Sequence, residues 1–393
     1  MTSPEIKMTN WNNCVGEIRT HTHTHAHAHY CKAIEMVATN ANVDPAVVQH
    51  ANMDQVVAPI MLALQKQAEV ADKKAAVAAF NAANKWRKRG LYCMPVHYSM
   101  NNSGFEESAL VEVHSDGSVS VNNSGLEVGQ GINTKVEQAT VFELSKTAPF
   151  GLDMVTTVLP KSTRDFDASP TWASGTSETC VYATLQACAE INKALAKHKV
   201  AGDTWVQVVA KAAKAGAKLS ATGRHVMGTG GAYPICSAAC AVVEIDVLTG
   251  EHQILSADIL YDAGRSLNPY IDIGQVEGCF VQAAGMCLTE EQTRSPVDGR
   301  LISNGTWDYK PPCALDIPIE FNVHFLDSEN DSTAAVLGSK ATGEPAYLLG
   351  PAAFFALKQA VYAARADAGD TSWFQLNTPA SPERVHAACS VKL

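Results

Sequence analysis

The sequence has 393 residues, of which 46% are hydrophobic and 18% are charged, and its formal net charge is −10 at pH 7. This length and composition allow one large domain or several medium ones with a substantial hydrophobic core. The negative charge argues against a nucleic-acid partner or an anionic membrane surface, because such surfaces need clustered Lys and Arg.

The cysteines and the apolar runs favour a protein of the cytoplasm. Eleven cysteines are scattered along the chain and none forms a C-x-x-C pair, a pattern typical of reduced, buried thiols. No apolar run approaches the roughly 18–20 residues that a membrane helix needs, and the N-terminus has no signal-peptide pattern. The final "VKL" (391–393) approximates the S-K-L address, so a peroxisomal location is the alternative.

The N-terminal residues differ in composition from the rest. "THTHTHAHAHY" (20–30) alternates His with Thr or Ala. Such a tract can bind Zn²⁺ or Ni²⁺ adventitiously, but a dedicated metal site needs ligands held in fixed geometry by supporting contacts. We therefore predict no metal site and interpret residues 1–31 as a low-complexity, disordered leader. Residues 32–388 are expected to form the folded domain, followed by a tail over residues 389–393.

The next segment predicts helices. Residues 32–92 are rich in Ala, Lys, Gln and Glu, and Gly90 is a typical C-terminal stop. The short basic stretch "KWRKRG" (85–90) favours a solvated turn over a binding patch.

Two hairpins and three further helices follow. Alternating valines around Asp116-Gly117 predict one hairpin over 109–123, and a second over 241–260 turns at Thr249-Gly250.

The three helices are expected over 176–198, 272–287 and 351–366. The last of these carries Lys358 and Arg365 opposite its apolar face. Hairpins and helices in blocks, without regular β-α alternation, indicate an α+β fold.

Two glycine- and hydroxyl-rich stretches could hold an anionic ligand. "NSGLEVGQGINTK" (123–135) places three glycines around Glu127 and Gln130, so it is either a tight turn or a loop that offers bare backbone N–H groups to anionic oxygens. "RDFDASPTWASGTSE" (164–178) puts hydroxyls just before a helix, where they could cap it or help its N–H groups hold a phosphate. The candidates there are Ser169, Thr171 and Ser174.

Two further stretches concentrate polar groups. "YDAGRSLNPYIDIGQVEGCF" (261–280) is either a hydrogen-bonded loop scaffold or part of a site. "GSKATGEPAYLLG" (338–350) holds one carboxylate, Glu344, between Gly343 and Pro345. That acid is either favoured by the dipole of the helix that follows it or, in a dry pocket, a group that handles protons. The polar residues of the first stretch are Asp262, Arg265, Asn268, Asp272 and Gln275.

Seven stretches in this order and spacing resemble the C-terminal molybdopterin-binding portion of the xanthine dehydrogenase/aldehyde oxidase family. They are "KWRKRGL", "HSDGSVSV", "EVGQGINTK", "SPTWAS", "VVEIDVLTGEH", "GRSLNPYIDIGQVEG" and "SKATGEP". The resemblance runs from about residue 71 to the C-terminus, with a fainter match back to about residue 32. It implies the family's second molybdopterin-binding domain, and the later motifs are closer to xanthine dehydrogenase than to bacterial aldehyde oxidoreductases.

The resemblance also implies a role for each matched residue. Glu344 would be the catalytic base beside the molybdenum, in the oxidative hydroxylation of a purine such as hypoxanthine or xanthine, or of an aldehyde. Gln275 would hydrogen-bond the pterin, and Ser169 would belong to a loop that holds the cofactor. The residues placed against molybdopterin itself are Gly129, Gln130 and Gly131.

Several parts of the family are not found among these 393 residues. They include the portions that carry two [2Fe–2S] clusters, FAD and the first molybdopterin half. We therefore expect a fragment that associates with chains supplying these parts, or forms a homodimer. Two local departures are the loss of the Gly-Ile-Ser-Phe-Thr element in 96–108 and the replacement of Val-Pro-Asn by Asp165-Phe166-Asp167. The alternatives are aldehyde oxidase activity, or an inactive remnant that acts only by association.

Overall fold

The computed structural model describes residues 20–161, 168–328 and 335–390, with side chains from Tyr30 onward. The helices are α1 (Thr20–Ala41), α2 (Pro45–Ala51), α3 (Ala58–Gln67), α4 (Val70–Ala83), α5 (Ile132–Leu144), α6 (Thr176–Leu195), α7 (Trp205–Lys214), α8 (Pro269–Leu288), α9 (Glu344–Tyr347), α10 (Pro351–Asp367) and α11 (Pro382–Cys389). The strands are β1 (Arg87–Asn101), β2 (Glu107–Val113), β3 (Val119–Asn123), β4 (Val155–Thr157), β5 (Ser220–His225), β6 (Ala232–Asp246), β7 (His252–Tyr261) and β8 (Glu320–Phe325).

These strands form two four-stranded sheets. The first has the order β1-β6-β7-β8, with β8 parallel to β7 and the other pairs antiparallel. The second has the order β4-β3-β2-β5, with β4 parallel to β3. The predicted hairpins are β2–β3 and β6–β7, and each turns at the expected glycine in a left-handed conformation. The α+β prediction is confirmed.

Helices cover both faces of the first sheet. One face of β1 packs against α10 and α8 through buried residues such as Tyr92 and Met94. The other face packs against α3 and α4, where Met61 and Leu64 meet Cys93. Because successive strand residues point to opposite faces, a strand covered on both sides is apolar almost throughout.

The second sheet has a core of its own. Val111 and Val121 lie at its centre and pack against the buried faces of α5 and α6. Trp205 at the start of α7 completes this core and donates its indole N–H to the carbonyl of Gly117 at 2.7 Å. The loops that join the two sheets to α5, α6 and α8 carry the candidate site.

The predictions for residues 85–92 were wrong. Helix α4 ends at Ala83, and β1 begins at Arg87. Gly90 lies inside β1, where a Cβ would stand 2.0 Å from the carbonyl oxygen of Ala356 in α10, so only glycine permits this approach. Lys88 is 1% exposed rather than solvated, because its ammonium donates to the carbonyl of Asn81 at 2.7 Å. Tertiary pairing overrides local propensity here.

The polar side chains opposite the apolar face of α10 are also buried. Lys358 is fully buried and its ammonium forms an ion pair with Glu35 of α1. Arg365 is 8% exposed and donates to the carbonyl of Ala388 at 3.1 Å. They are buried because α1 and the C-terminal segment cover the polar face of α10.

The N-terminal boundary also differs from the expected one. Residues 20–31 belong to α1, so the boundary predicted at residue 31 falls inside a helix. Cys31 is 1% exposed and packs in the main core, which anchors this part of α1 to the body of the domain. The division into leader, domain and tail otherwise stays a prediction, and residues 1–19 and 391–393 lie outside the described residues.

The described ranges offer no candidate for a membrane span or for a metal-ion site. None of the helices in those ranges is both long and apolar enough to cross a bilayer. In the same part of the chain, His, Cys, Asp and Glu side chains nowhere gather in groups of three that could hold a metal ion.

Candidate functional site

A cavity of about 210 Å³ lies where the starts of α5, α6, α8 and α9 converge. Six of the residues singled out from the sequence line it, namely Gln130, Thr171, Ser174, Asp272, Gln275 and Glu344. Helix N-termini present unpaired backbone N–H groups and the positive end of the helix dipole, so their convergence favours an anionic ligand. The lining also includes hydroxyl-bearing and small residues from 171–177 and 339–343.

Glu344 lines this cavity and is held at two points. Its backbone N–H donates to the hydroxyl of Ser174 at 2.8 Å, and the phenol of Tyr98 donates to its Oε2 at 3.1 Å. Gly343 makes the first contact possible, because a Cβ at that position would lie 2.9 Å from the Ser174 hydroxyl. The carboxylate is partly buried, so it stands in a recess rather than in bulk water.

The chain that carries Ser174 is in an unusual backbone conformation. Ala173 and Ser174 have φ angles of 46° and 60°, in the left-handed region that residues with a Cβ rarely adopt. Such strain costs of order 1–3 kcal/mol per residue and persists only where the surroundings enforce it, commonly at functional sites. Here it directs the Ser174 hydroxyl at the amide of Glu344.

In the glycine turn before α5, the backbone N–H groups donate to a side chain of the same turn and are not free to bind a ligand. The Glu127 carboxylate accepts hydrogen bonds from the amides of Gly129 and Gly131, each at 3.0 Å, and from that of Asn133 at 3.2 Å. Both glycines have left-handed φ angles, 103° and 73°, which explains their place in the motif. The bare N–H groups expected from the sequence are therefore occupied in this structure.

Gln130 and Gln275 meet at the rim of the cavity. The Gln130 side chain folds back on its own loop, accepting from the amide of Val128 and donating to the carbonyl of Leu126, both at 2.7 Å. Gln275 reaches across from α8 and donates to the carbonyl of Gly129 at 3.4 Å. Of the predicted cofactor residues, Gln130 and Gln275 thus line the cavity, and Gly129 contacts Gln275 beside it.

Ser169 lies away from the cavity lining. It exchanges two 2.8 Å hydrogen bonds with the backbone of Glu106, one through its own amide and one through its hydroxyl. Thr171, two residues further on, lines the cavity and accepts from the amide of Leu126 at 2.8 Å. The cofactor role of Ser169 stays a prediction, and Asp165-Phe166-Asp167 lie outside the described residues.

Two lysines line the cavity, and each is paired with a buried aspartate. Lys135 of α5 donates to Asp272 of α8 at 2.7 Å, and Lys340 donates to Asp262 at 2.5 Å. The sequence indicated the two aspartates but not their partners. Because each cation is neutralised, these pairs contribute hydrogen-bond donors more than net positive charge.

A second carboxylate in the cavity wall escaped the sequence interpretation. Glu178 of α6 is only 7% exposed, and it accepts hydrogen bonds from the Tyr233 phenol at 2.8 Å and from the amide of Val336 at 3.0 Å. Burial raises the pKa of this carboxyl to about 7, although both hydrogen bonds oppose the shift. The sequence shows an acid in the first turn of a helix, but no local pattern reveals its burial.

The lining residues suit a pterin with a phosphate-bearing tail. Side-chain amides at the rim and hydroxyls along the wall can donate to and accept from the edge of a heterocycle. The positive dipole ends of the converging helices favour the negative charge of a phosphate.

A family model described as a molybdopterin cofactor-binding domain matches residues 63–318, which is more than half of the chain. The xanthine dehydrogenase of Drosophila pseudoobscura pseudoobscura is 39% identical over 347 residues, covering 83% of this chain and 25% of that protein. The probable aldehyde oxidase 2 of Oryza sativa subsp. japonica is 37% identical over 342 residues, covering 84% of this chain and 25% of that protein. The chain therefore spans about a quarter of the length of these relatives.

The fold is similar to that of quinoline 2-oxidoreductase from Pseudomonas putida 86, with a TM-score of 0.77 and 20% identity over 92% of this chain and 51% of that one. The family model shows that residues 63–318 form a molybdopterin cofactor-binding domain. The chain belongs to the xanthine dehydrogenase/aldehyde oxidase family, as the sequence motifs predicted.

Proposed function

We propose that this chain is the second molybdopterin-binding part of an enzyme that hydroxylates a purine such as hypoxanthine or xanthine, with Glu344 as its general base. The observation that carries the proposal is the position of Glu344, which lines the same cavity as Gln130 and Gln275 and is held there by Ser174 and Tyr98. The 39% identity with xanthine dehydrogenases supports the substrate class.

The chain's own residues would bind the cofactor and move one proton. Gln130 and Gln275 would turn their amides toward the pterin, and Thr171 and Ser174 would hold it from the α6 side. The Glu344 carboxylate would take up a proton as the substrate carbon is hydroxylated. A base positioned in this way typically contributes about 10²–10⁴-fold to the rate.

The overall reaction converts a C–H bond and water into C–OH, two protons and two electrons. The bound molybdenum cofactor would supply the oxygen transfer and accept the electrons. In the family those electrons leave through [2Fe–2S] clusters and FAD, which other domains carry. We therefore propose that such domains, on a longer chain or on companion polypeptides, complete the enzyme.

Two alternative functions can be tested by experiment. Aldehyde oxidase activity is supported by a relative of nearly the same identity, 37% against 39%. A catalytically inactive form that acts by association is the other alternative. A preparation with neither molybdenum nor the fluorescence of oxidised pterin would favour the inactive form.

The decisive variant is Glu344→Gln, which keeps the shape of the side chain but cannot take up the proton. We expect it to reduce purine hydroxylation in the assembled enzyme by about 10²–10⁴-fold or more, with molybdenum and pterin contents unchanged. Glu112→Gln is the matched control, because Glu112 is exposed on β2 and should retain full turnover. Retained turnover in Glu344→Gln would remove this residue from the base role.

We also propose a cytoplasmic location, with the peroxisome as the alternative suggested by the C-terminal "VKL" (391–393). Fractionation of cells that express the full chain, with and without these three residues, would distinguish the two locations.

A further inference from the structure

Tyr98 lies directly behind Glu344, on the side of the protein core. It belongs to β1, where alternate side chains such as Met94, Val96 and Met100 point into the main core and are buried. Tyr98 is on this same face and partly buried, in register with Ile235 of β6. The strand therefore fixes the direction from which the phenol approaches the carboxylate.

The geometry separates Tyr98 from the ligand. Its hydroxyl donates to Glu344 Oε2 at 3.1 Å, yet Tyr98 is not part of the cavity lining, whereas Glu344 is. The phenol therefore reaches the cavity wall through its hydrogen bond to Glu344. Ser174 fixes the backbone amide of the same residue at 2.8 Å, so backbone and side chain are each held by one hydroxyl.

We propose that Tyr98 is a positioning residue for Glu344, holding its carboxylate in the cavity by a hydrogen bond from the core side. The inference rests on the proposed function, because it assigns a device that orients the proposed base. A flexible glutamate side chain loses rotamer freedom when it is fixed. A hydrogen bond already made in the resting protein removes that cost from the reaction.

The surroundings keep the phenol in its donating form. Burial, and then the adjacent charge of Glu344, raises the pKa of Tyr98. The other titratable groups facing this pair are Cys279 of α8, whose pKa burial raises to about 12, and Tyr261 of β7, whose pKa burial also raises. Both are neutral around pH 7, so neither adds a charge beside the hydrogen bond between Tyr98 and Glu344.

The test uses the full chain labelled with ¹³C at the ζ carbon of its ten tyrosines, observed by NMR as the pH is lowered. The ζ carbon senses hydrogen-bond donation by the phenol. We expect the Tyr98 resonance, assigned by its absence in Tyr98→Phe, to move as Glu344 takes up a proton. That movement should be lost in Glu344→Gln.

Glu178→Gln is the matched control, because Glu178 accepts from a different phenol, that of Tyr233. In this variant the Tyr98 resonance should still move, while that of Tyr233 should lose its pH response. If Tyr98→Phe fails to fold, the comparison of the wild type with Glu344→Gln still tests the inference. One tyrosine resonance must then lose its pH-dependent movement in Glu344→Gln. A Tyr98 resonance that behaves identically in the wild type and in Glu344→Gln would overturn the inference.

In the assembled enzyme, Tyr98→Phe should lower kcat about tenfold, the effect of losing one hydrogen bond to a charged group. KM should stay unchanged, because Tyr98 does not touch the cavity. The two proposals fail differently. Turnover by Glu344→Gln would refute the base role, whereas an inactive Glu344→Gln without the NMR coupling would refute only the role of Tyr98.

Discussion

The residues in and behind the cavity wall differ in how clearly the sequence indicates their roles. Glu344 was recognisable because glycine and proline flank it in a motif shared with a family. Glu178 and Tyr98 were not, because what distinguishes them is burial and a partner more than fifty residues away in sequence. Long-range contacts of this kind leave no periodic signal, so a single sequence predicts the motif residues and misses those that support them.

The buried carboxyl of Glu178 should make stability depend on pH. Its pKa in the folded chain is about 7, whereas an unfolded glutamate titrates near ~4.3. The folded state therefore keeps a proton that the unfolded state releases, so its contribution is fully present below pH ~4.3 and is lost as pH rises through about 7. In Glu178→Gln this loss disappears, and its free energy of unfolding relative to the wild type should rise by roughly 3 kcal/mol between pH 4 and pH 8.

Urea denaturation at a series of pH values would measure this change. Glu107 is a matched case, because burial raises the pKa of its carboxyl to about 7 as well, so Glu107→Gln should show the same sign. Glu112→Gln, on the exposed side of β2, should show no such dependence. The prediction would be contradicted if the difference in unfolding free energy between the wild type and Glu178→Gln did not change with pH.

At the scale of elements, the hairpins and the later helices followed from local patterns. The β2–β3 and β6–β7 turns lie where glycines interrupt alternating apolar residues. The errors occurred where one element is covered by another that is distant in sequence. The start of β1 was included in a helical segment because that segment is rich in Ala, Lys, Gln and Glu and Gly90 is a typical helix stop. The burial of the polar face of α10 depends on α1 and the C-terminal segment, which lie far away along the chain.

The ion pair of Lys358 and Glu35 should be a strong link between α10 and α1. Both side chains are fully buried, and the Lys358 ammonium also lies 4.9 Å from the centre of the Phe374 ring. Removing one partner leaves an uncompensated buried charge, which typically costs about 3–5 kcal/mol. We expect Lys358→Met to lower the free energy of unfolding by that amount at pH 8.

The loss of unfolding free energy in Lys358→Met should be smaller at low pH. Burial raises the pKa of Glu35 despite the opposing effect of Lys358, so without the lysine this carboxyl is readily protonated as pH falls and its charge disappears. Chemical denaturation of Lys358→Met at pH 8 and pH 5 would show the recovery. The double variant with Glu35→Leu should regain most of the lost stability at both pH values, and a double variant as unstable as the single one would show that the ion pair itself is not the cause.

At the scale of the whole molecule, the domain presents its cavity at an open, apolar rim. Val128 and Trp172 line the cavity, and they are 68% and 48% exposed; Leu126 beside them is 59% exposed. Clustered exposed apolar side chains commonly mark a protein interface.

We therefore predict that the protein purified from the cells that make it forms an assembly heavier than the 41.9 kDa of this chain and carries molybdopterin. Native mass spectrometry would detect both. Leu126→Asp should weaken the association, since it places a charge on an apolar rim that the partner would have to desolvate. Leu248→Asp is the matched control, because Leu248 is 43% exposed in the turn between β6 and β7, at the opposite end of β6 from the cavity contact Tyr233.

The two measurements together separate the enzyme from the inactive form. An assembly that keeps its pterin in Leu248→Asp but loses it in Leu126→Asp would show that the cofactor is retained because the rim is covered. Equal loss in both variants would mean that the rim is not the interface. A chain that occurs alone at 41.9 kDa, without molybdenum or pterin, would leave the cavity as an inherited structure with no chemistry to perform.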